Sequence, residues 1–541
     1  MKTRFITSII AILAFVSAKA TTFEVNGIWY TVTSDQTVRL VPEPSASGSG
    51  TSFIIRNVYE GDIVIPETVT YDGVEYTVTE VENGTFKDSP KLTSVSMPAT
   101  VIDLGETPFS ACGKLNTITV AADNPAYTIV DGVLYDKAIT TLLGCPGMKN
   151  GAIVVPETVT TIARSAFHGC AHITSVAIPQ TVNEVGRRAF CGCKQLTSIS
   201  LPEGVTFVGD STFYNCTAIT NISLPSTLTS IGANAFYHCN LVKSFVLPDA
   251  VESIGDRAFN LCYGMTTITM PTNLKRLGYR AFDNCNKLKS VSLSATVTNI
   301  ENLAFCGCSD LRRIDVAADN NIYRSEDGVL FSKDMTTLVC CPAGKLGDYV
   351  VPTSVTTIGE YGFYYCRALQ SITLPMTLKT IQNHGFRFCS GLSTIVLPLA
   401  LTTIQHDVFS QCTGLKSFVS YPSNVPDIIA STFTATNYNV PLYVPEGALG
   451  NYQNEENWQK FASIQPITSE VVDGIMGDTD NDEFVTVTDI MRTVNVVVGQ
   501  TPGNFLWQRA DMNFDGNISI TDVIGIVNAV VGELGHIAYA Q

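Results

Sequence analysis

Apolar positions recur in one frame along most of the chain. Taken from Leu196, they fall at Leu196, Ile199 and Leu201, then Val205 and Val208, then Phe213 and Cys216. Ile199 and Leu201 alternate with Ser198 and Ser200, the period-two signature of a short strand with one buried face. Pro202 ends that strand, because proline has no N–H to give to a ladder. The frame closes on V/L-x-x-I/V-G-x-x-A-F. Its phenylalanines stand at Phe86 and Phe109, at Phe167, Phe190, Phe213, Phe236, Phe259, Phe282 and Phe305, and at Phe363, Phe386 and Phe409. Each run steps by 23 residues, and Phe433 follows after 24. Such a period predicts a solenoid, whose coils bury their apolar faces against their neighbours. Equivalent side chains then form columns about 4.8 Å apart.

Cysteine follows the closing phenylalanine by three residues at positions 112, 170, 193, 216, 239, 262, 285, 308, 366, 389 and 412, which makes eleven of the sixteen cysteines one column. A repeating position is a packing position, so these predict small buried thiols in a tight turn rather than a disulfide ladder or a metal site. The cysteines at 145, 191, 306, 340 and 341 receive no role. Twice, between Phe109 and Phe167 and between Phe305 and Phe363, the step widens to 58. Both wide segments carry Val-Ala-Ala-Asp-Asn, then Asp-Gly (Asp131-Gly132, Asp327-Gly328), then Thr-Thr-Leu and Cys-Pro. Asp-Gly between apolar alternations predicts a hairpin, so one larger unit is used twice, each copy projecting a hairpin. Alternating segments such as Phe23–Tyr30 predict a cap before the coils. After Phe433, Val440–Pro445 predicts a last strand, and Asn451–Ala462, with Trp458 and Phe461, a short covering helix.

Composition excludes several classes. An apolar content of 45% with 15% charged residues is that of a packed protein, not a disordered one. Lys2 and Arg4, an apolar run from Phe5 to Val16, and Ala18-Lys19-Ala20 form a secretory signal with a small-x-small cleavage site. No cysteine stands there for a lipid anchor, and no later segment is apolar for the roughly 18–20 residues of a membrane helix. The net charge of −16 argues against nucleic acid.

The coils resemble the BspA-like leucine-rich repeat family of bacterial surface proteins. The runs that carry the resemblance have the form I-G-x-x-A-F-x-x-C-x-x-L-x-x-I-x-L-P, as from Ile231 to Pro248. It implies a β-rich solenoid of 23-residue coils, of the α/β repeat class, displayed on or shed from cells and binding macromolecules.

From Asp478 to Gln541 nine carboxylates face only Arg492 and Arg509, and a compact acidic patch points to a cation. The acids fall in two copies offset by 33 residues. One copy offers Asp478, Asp480, Asp482 and Asp489 with the carbonyl of Phe484. The other offers Asp511, Asn513, Asp515 and Asp522 with the carbonyl of Asn517. Oxygens at positions 1, 3, 5, 7 and 12 follow the logic of a calcium loop. Each loop leads into an apolar segment, Ile490–Val498 or Val523–Val531, closed by Gly499 or Gly532, where helices commonly stop. This tail looks like a dockerin, a small all-α module that anchors exported proteins to cohesin domains, and aspartate at position 12 is part of the likeness. The resemblance implies two calcium ions, a cohesin-bearing partner, and cohesin contacts at Val487, Thr488, Ile520 and Thr521. The similarity of the two pairs permits docking in either orientation. Glu483 stands where position 6 prefers glycine, which predicts a weaker first site.

None of the histidines at 168, 172, 238, 384, 406 and 536 forms an H-E-x-x-H pair, and no G-x-S-x-G elbow, Walker loop or dinucleotide fingerprint stands out. Exposed strand hydroxyls and a tyrosine group, Tyr214, Tyr237, Tyr364 and Tyr365, are the candidate ligand surfaces. The sequence thus divides into a signal (1–20), a β-rich N-terminal cap (21–80), the solenoid (81–445), a C-terminal cap and linker (446–470) and the dockerin-like module (471–541). The expected function is binding, not catalysis: a secreted or cell-surface adhesion protein whose solenoid holds a macromolecule and whose tail anchors it. The alternative is an accessory glycan-binding component of a polysaccharide-degrading complex.

Overall fold

The computed structural model describes residues 21–42, 59–433, 438–468, 477–480, 485, 487–500, 502–503 and 505–539. The predicted signal segment, 1–20, lies outside them. Two units separate: Met1–Ile173 with Arg188–Cys193, and Thr174–Arg187 with Lys194–Gln541. Both are built from the same coil. In the second unit the strand Ser198–Ser200 pairs in parallel with Asn221–Ser223, with Ile199 opposite Ile222. The coil's second strand is only two residues long. Phe207–Val208, Ser230–Ile231, Ser253–Ile254, Arg276–Leu277 and Asn299–Ile300 stack into a parallel sheet of their own. The rest of each coil is turn, and no helix occurs among the described residues from 59 to 433.

Backbone strain serves the stack. Many coils hold two non-glycine residues at positive φ, such as Ser211 (57°) and Asn215 (60°), Asn234 (54°) and His238 (60°), Arg257 (54°) and Leu261 (61°), while in others glycine takes one of the two places, as at Gly169, Gly192 and Gly307. This conformation costs about 1 kcal/mol per residue. It turns the N–H along the stack, where Ser211 donates to Ala233 O at 2.8 Å, Asn215 to Tyr237 O at 2.8 Å and His238 to Asn260 O at 2.8 Å. Leaving those donors buried and unpaired costs more than the strain.

Side-chain columns fill the interior. In the second unit the rings of Phe236, Phe259 and Phe282 stack with centroids 5.2 and 5.1 Å apart, all fully buried. The cysteines form the column the sequence predicted, and every cysteine is a free thiol. Each column thiol has a fixed partner, since Cys239, Cys262 and Cys285 donate to the carbonyls of Phe213, Phe236 and Phe259 at 3.2, 3.2 and 3.1 Å. Burial pushes the Cys262 thiol up to about 12. The glycine of each I-G pair is required by close approach, because a Cβ on Gly255 would lie 2.6 Å from the carbonyl carbon of Gly232.

The two wide segments do contain the expected hairpins: Tyr127–Val130 with Val133–Asp136, and Tyr323–Glu326 with Val329–Ser332. Their turns put Asp131 and Gly132 at φ of 47° and 74°, as also Asp327 and Gly328. The hairpins do not simply project, however. Val133, Leu134 and Tyr135, like Val329, Leu330 and Phe331, are buried, so the second strand lies in the core of a widened coil. Its third strand, Thr141–Gly144 or Thr337–Cys340, pairs in parallel with the next coil. The Asn of Val-Ala-Ala-Asp-Asn plugs the junction. Fully buried Asn124 donates to Pro98 O and Val101 O and accepts from the N–H groups of Ala126 and Tyr127, and Asn320 repeats the pattern.

At its start the first unit carries a sheet that includes Thr22–Val25, Ile28–Ser34, Thr37–Val41 and Val74–Val81. After the last coil comes the strand Pro441–Val444, then helix α1 (Leu449–Asn454), shorter than the predicted span. One more strand follows, Ser463–Pro466, which extends the parallel sheet beyond the predicted last strand. Trp458 and Phe461 are buried over the open end, and the Trp458 indole donates to Pro426 O at 2.9 Å. Because all cysteines but Cys306 and Cys340 are buried, Ellman titration of the native chain should count those two at most, and all sixteen after unfolding.

Candidate calcium loops and docking face

Three helices form the tail: α2 (Val487–Val497), α3 (Trp507–Ala510) and α4 (Ile520–Tyr539). Helix α2 stops as the sequence predicts, with Gly499 at φ +84° just past its end and Gln500 N–H donating back to Asn495 O at 2.7 Å. Helix α4 does not stop at Gly532 but runs on to Tyr539. A glycine costs a helix interior only about 1 kcal/mol, too little to end it alone.

The second loop is described in full. Asp511 and Asp522 are fully buried at its two ends. Asp511 accepts from Asp515 N at 3.1 Å and from Gly516 N at 2.8 Å, and Asp522 from Met512 N and Ser519 N, both at 2.9 Å. Asn513 and Asp515 accept from the loop backbone as well. Gly516 sits at φ +82°, which explains glycine at position 6. Burial above all, joined by the charges of Asp522 and Asp515, pushes the Asp511 carboxyl up to about 7 against the opposing Gly516 N–H. Hard oxygens at positions 1, 3, 5, 7 and 12 of one loop, in no ion pair with a basic side chain among the described residues, are of the kind that calcium takes, and Asp511, Asn513, Asp515, Asp522 and the Asn517 carbonyl are the groups that would hold it.

The first loop repeats the frame in part. Asp478 and Asp489 are buried, Thr479 N donates to Asp489 at 2.6 Å as Met512 N does to Asp522, and carboxylate oxygens of Asp478, Asp480 and Asp489 lie within 4.8 Å of one another. Asp482, Glu483 and Phe484 lie outside the described residues. Two arginines reach this loop: Arg509 donates to Asp478 at 3.0 Å, and Arg492 stands 3.9 Å from Asp480. A cation entering here competes with guanidinium, a second reason for a weaker first site that the sequence pattern did not reveal.

The four positions expected at a partner surface are all exposed, with Val487 at 64% and Ile520 at 62%. They belong to a larger face. Met491 and Val498 are exposed beside Val487, and Ile524 and Val531 beside Ile520. The two trios are related by the same 33-residue offset as the loops, the signal by which Met491, Val498, Ile524 and Val531 could have been found.

On the coils, the tyrosines form two separate pairs. Tyr214 and Tyr237 stack at 4.6 Å and 6°, and Tyr364 lies 4.9 Å from Tyr365, over which Arg367 sits at 4.4 Å. The strand hydroxyls point outward as predicted. Near the tail, Asp348, Ser371, Thr373, Ser393 and Gln508 help line a cleft of about 630 Å³. His384, His406 and Asp407 also approach with ligand-like spacing, but Arg387 stands 3.4 Å from His384 Nδ1 and sets positive charge against a metal there.

Comparison with known proteins agrees with both parts. The BspA type leucine rich repeat region matches residues 68–142, 140–245, 229–342 and 340–446, and the dockerin type I domain matches residues 476–530. Dockerin type I domains bind calcium. Among solved structures, a leucine-rich repeat protein from Bacteroides ovatus is 24% identical, covering 82% of this chain and 100% of its own, with a TM-score of 0.46. A leucine rich cell surface protein from Faecalibacterium prausnitzii is 21% identical over 83% of this chain and 95% of its own, with a TM-score of 0.33. No curated protein matches.

Calcium titration of the full chain should show two steps. Asp522→Ala should remove the tighter and Asp489→Ala the weaker, each substitution costing its site at least about tenfold in affinity, or 1.4 kcal/mol.

Proposed function

The chain belongs to the BspA-type leucine-rich repeat family, and we propose that it is an exported binding protein, anchored through its calcium-loaded tail to a cohesin-bearing scaffold. Dockerin domains imply a cohesin partner and leucine-rich repeats imply binding. No helix of the described residues is long and apolar enough to cross a membrane.

One observation carries the anchoring. Each copy of the loop-and-helix unit exposes the same apolar trio, Val487, Met491 and Val498 in one and Ile520, Ile524 and Val531 in the other, beside a loop whose terminal aspartates are buried. Exposed apolar groups on a small acidic module cost solvation unless a partner covers them. Calcium would tie the two ends of each loop and thereby fix the helix that carries the trio. Since the trios are equivalent, a cohesin can use either.

The solenoid would hold the ligand. Stacked Tyr214 and Tyr237, flat rings with polar tips, suit a sugar or a protein loop. The cleft with Asp348, Ser371 and Thr373 offers acceptors and donors suited to hydroxyl groups, which favours the glycan-binding accessory component as the second reading. Neither repeat nor dockerin domains are catalytic.

Binding to a panel of immobilised cohesins in calcium and in EDTA tests the anchoring. Val487→Asp or Ile520→Asp alone should weaken binding only about twofold, the loss of one of two orientations, while the pair should weaken it by more than about a hundredfold. Equal effects of single and double substitution would defeat the two-orientation reading. Calcium-independent silence across the panel would defeat the anchor.

A further inference from the structure

The outward column of the coil sheet changes character beneath the tail. In 23-residue steps it reads Ser200, Ser223, Val246, Thr269 and Ser292, and the one apolar residue among them, Val246, is left 70% exposed. Further along, the same column holds Val396, Val419 and Tyr443, paired in register, and there Val419 is 1% exposed. These residues join Met376 and Tyr421 in one apolar cluster with Phe505, Trp507, Met512, Phe514 and Ile526 of the tail. The Trp507 indole donates across the seam to Leu374 O at 2.8 Å, and its ring meets Tyr421 edge-on at 4.9 Å.

The backbone of the second calcium loop also lies against the coils. A Cβ on Gly516 would lie 3.2 Å from both Leu399 Cδ1 and Tyr421 Cδ1. The N–H of this same glycine holds Asp511, the first ligand position. The Tyr421 hydroxyl is fully buried and has no hydrogen-bond partner among the described residues. Burial, with Asp511's charge nearby, holds its proton more tightly than usual.

We propose that the coil surface at Val396, Val419 and Tyr421 forms the outer wall of the second calcium site, so that docking of the tail on the solenoid and calcium binding at Asp511 and Asp522 strengthen each other. This rests on the calcium reading given above. The docked wall excludes water from the loop and holds its backbone closed, which raises the attraction between carboxylates and a cation. Calcium in turn removes the repulsion among Asp511, Asp515 and Asp522 that opposes burying the loop, and the coupling is reciprocal. The exposed partner-binding trios are then carried in a fixed orientation on the solenoid while calcium is bound.

The test uses the full chain carrying Asp489→Ala, so that the remaining calcium step belongs to the second loop. Adding Val396→Thr and Val419→Ser restores the hydroxyls found in earlier coils and should leave the solenoid's melting intact. The calcium Kd should rise at least about tenfold, and hydrogen exchange across residues 505–514 should lose its calcium-induced protection. Tyr421→Phe, which keeps the ring of the wall and removes only a buried hydroxyl without a partner among the described residues, should leave Kd unchanged or lower it. An unchanged Kd in the Val396→Thr, Val419→Ser variant, or a raised one in Tyr421→Phe, overturns the coupling and leaves the calcium site standing. Absence of any calcium step in the Asp489→Ala parent overturns the calcium reading itself.

Discussion

Everything in the coils depends on one hydrogen-bond register: a backbone N–H of each coil must meet a carbonyl of the next, one period along the chain. The two-residue strands and the positive-φ turns both serve it, the turns at an energetic cost. Ser211, Asn234 and Arg257 share a conformation though their side chains have nothing in common. What the position selects is therefore a backbone direction, and the side chain is left free to vary outward. That freedom lets one column carry Asn234 in one coil, Tyr361 in another and His384 in a third without disturbing the core.

The same register explains how a polar surface and a docking surface arise from one sheet. Inward residues of each strand are set by the core, while outward residues are unconstrained by folding, so exchanging serine for valine there changes only what the sheet presents. Upstream it presents hydroxyls to solvent. Under Trp507 it presents carbon, and the tail module shares a core with the solenoid.

Much of this was legible in the chain. The coil period, the cysteine column, the hairpin turns at Asp131 and Asp327, and the paired loops all follow from spacing, because each is a local pattern repeated. What escaped was non-local. The spacing of Cys262 shows that it is buried, but not that its thiol meets the Phe236 carbonyl. The hairpins looked like projections because the apolar residues after Gly132 and Gly328 have no partner in sequence, and their partner is the core of the neighbouring coils. Arg509 lies 31 residues from Asp478, and Trp507 lies 133 from Leu374, so no window along the chain links them. Val396 and Val419 did carry a signal, an apolar break in a hydroxyl column, readable once the coils are aligned.

The thiol ladder bears on how such a chain can mature where oxidants are present. A linear stack grows by addition, and each new coil seals its own cysteine against the phenylalanine carbonyl of the coil before it. Exchange chemistry needs an accessible thiolate, so the race between assembly and cross-linking is decided coil by coil, and at any moment only the growing tip offers sulfur to a wrong partner. A protein with sixteen thiols can thus mature without a disulfide catalyst, provided the stack closes faster than its tip is oxidised.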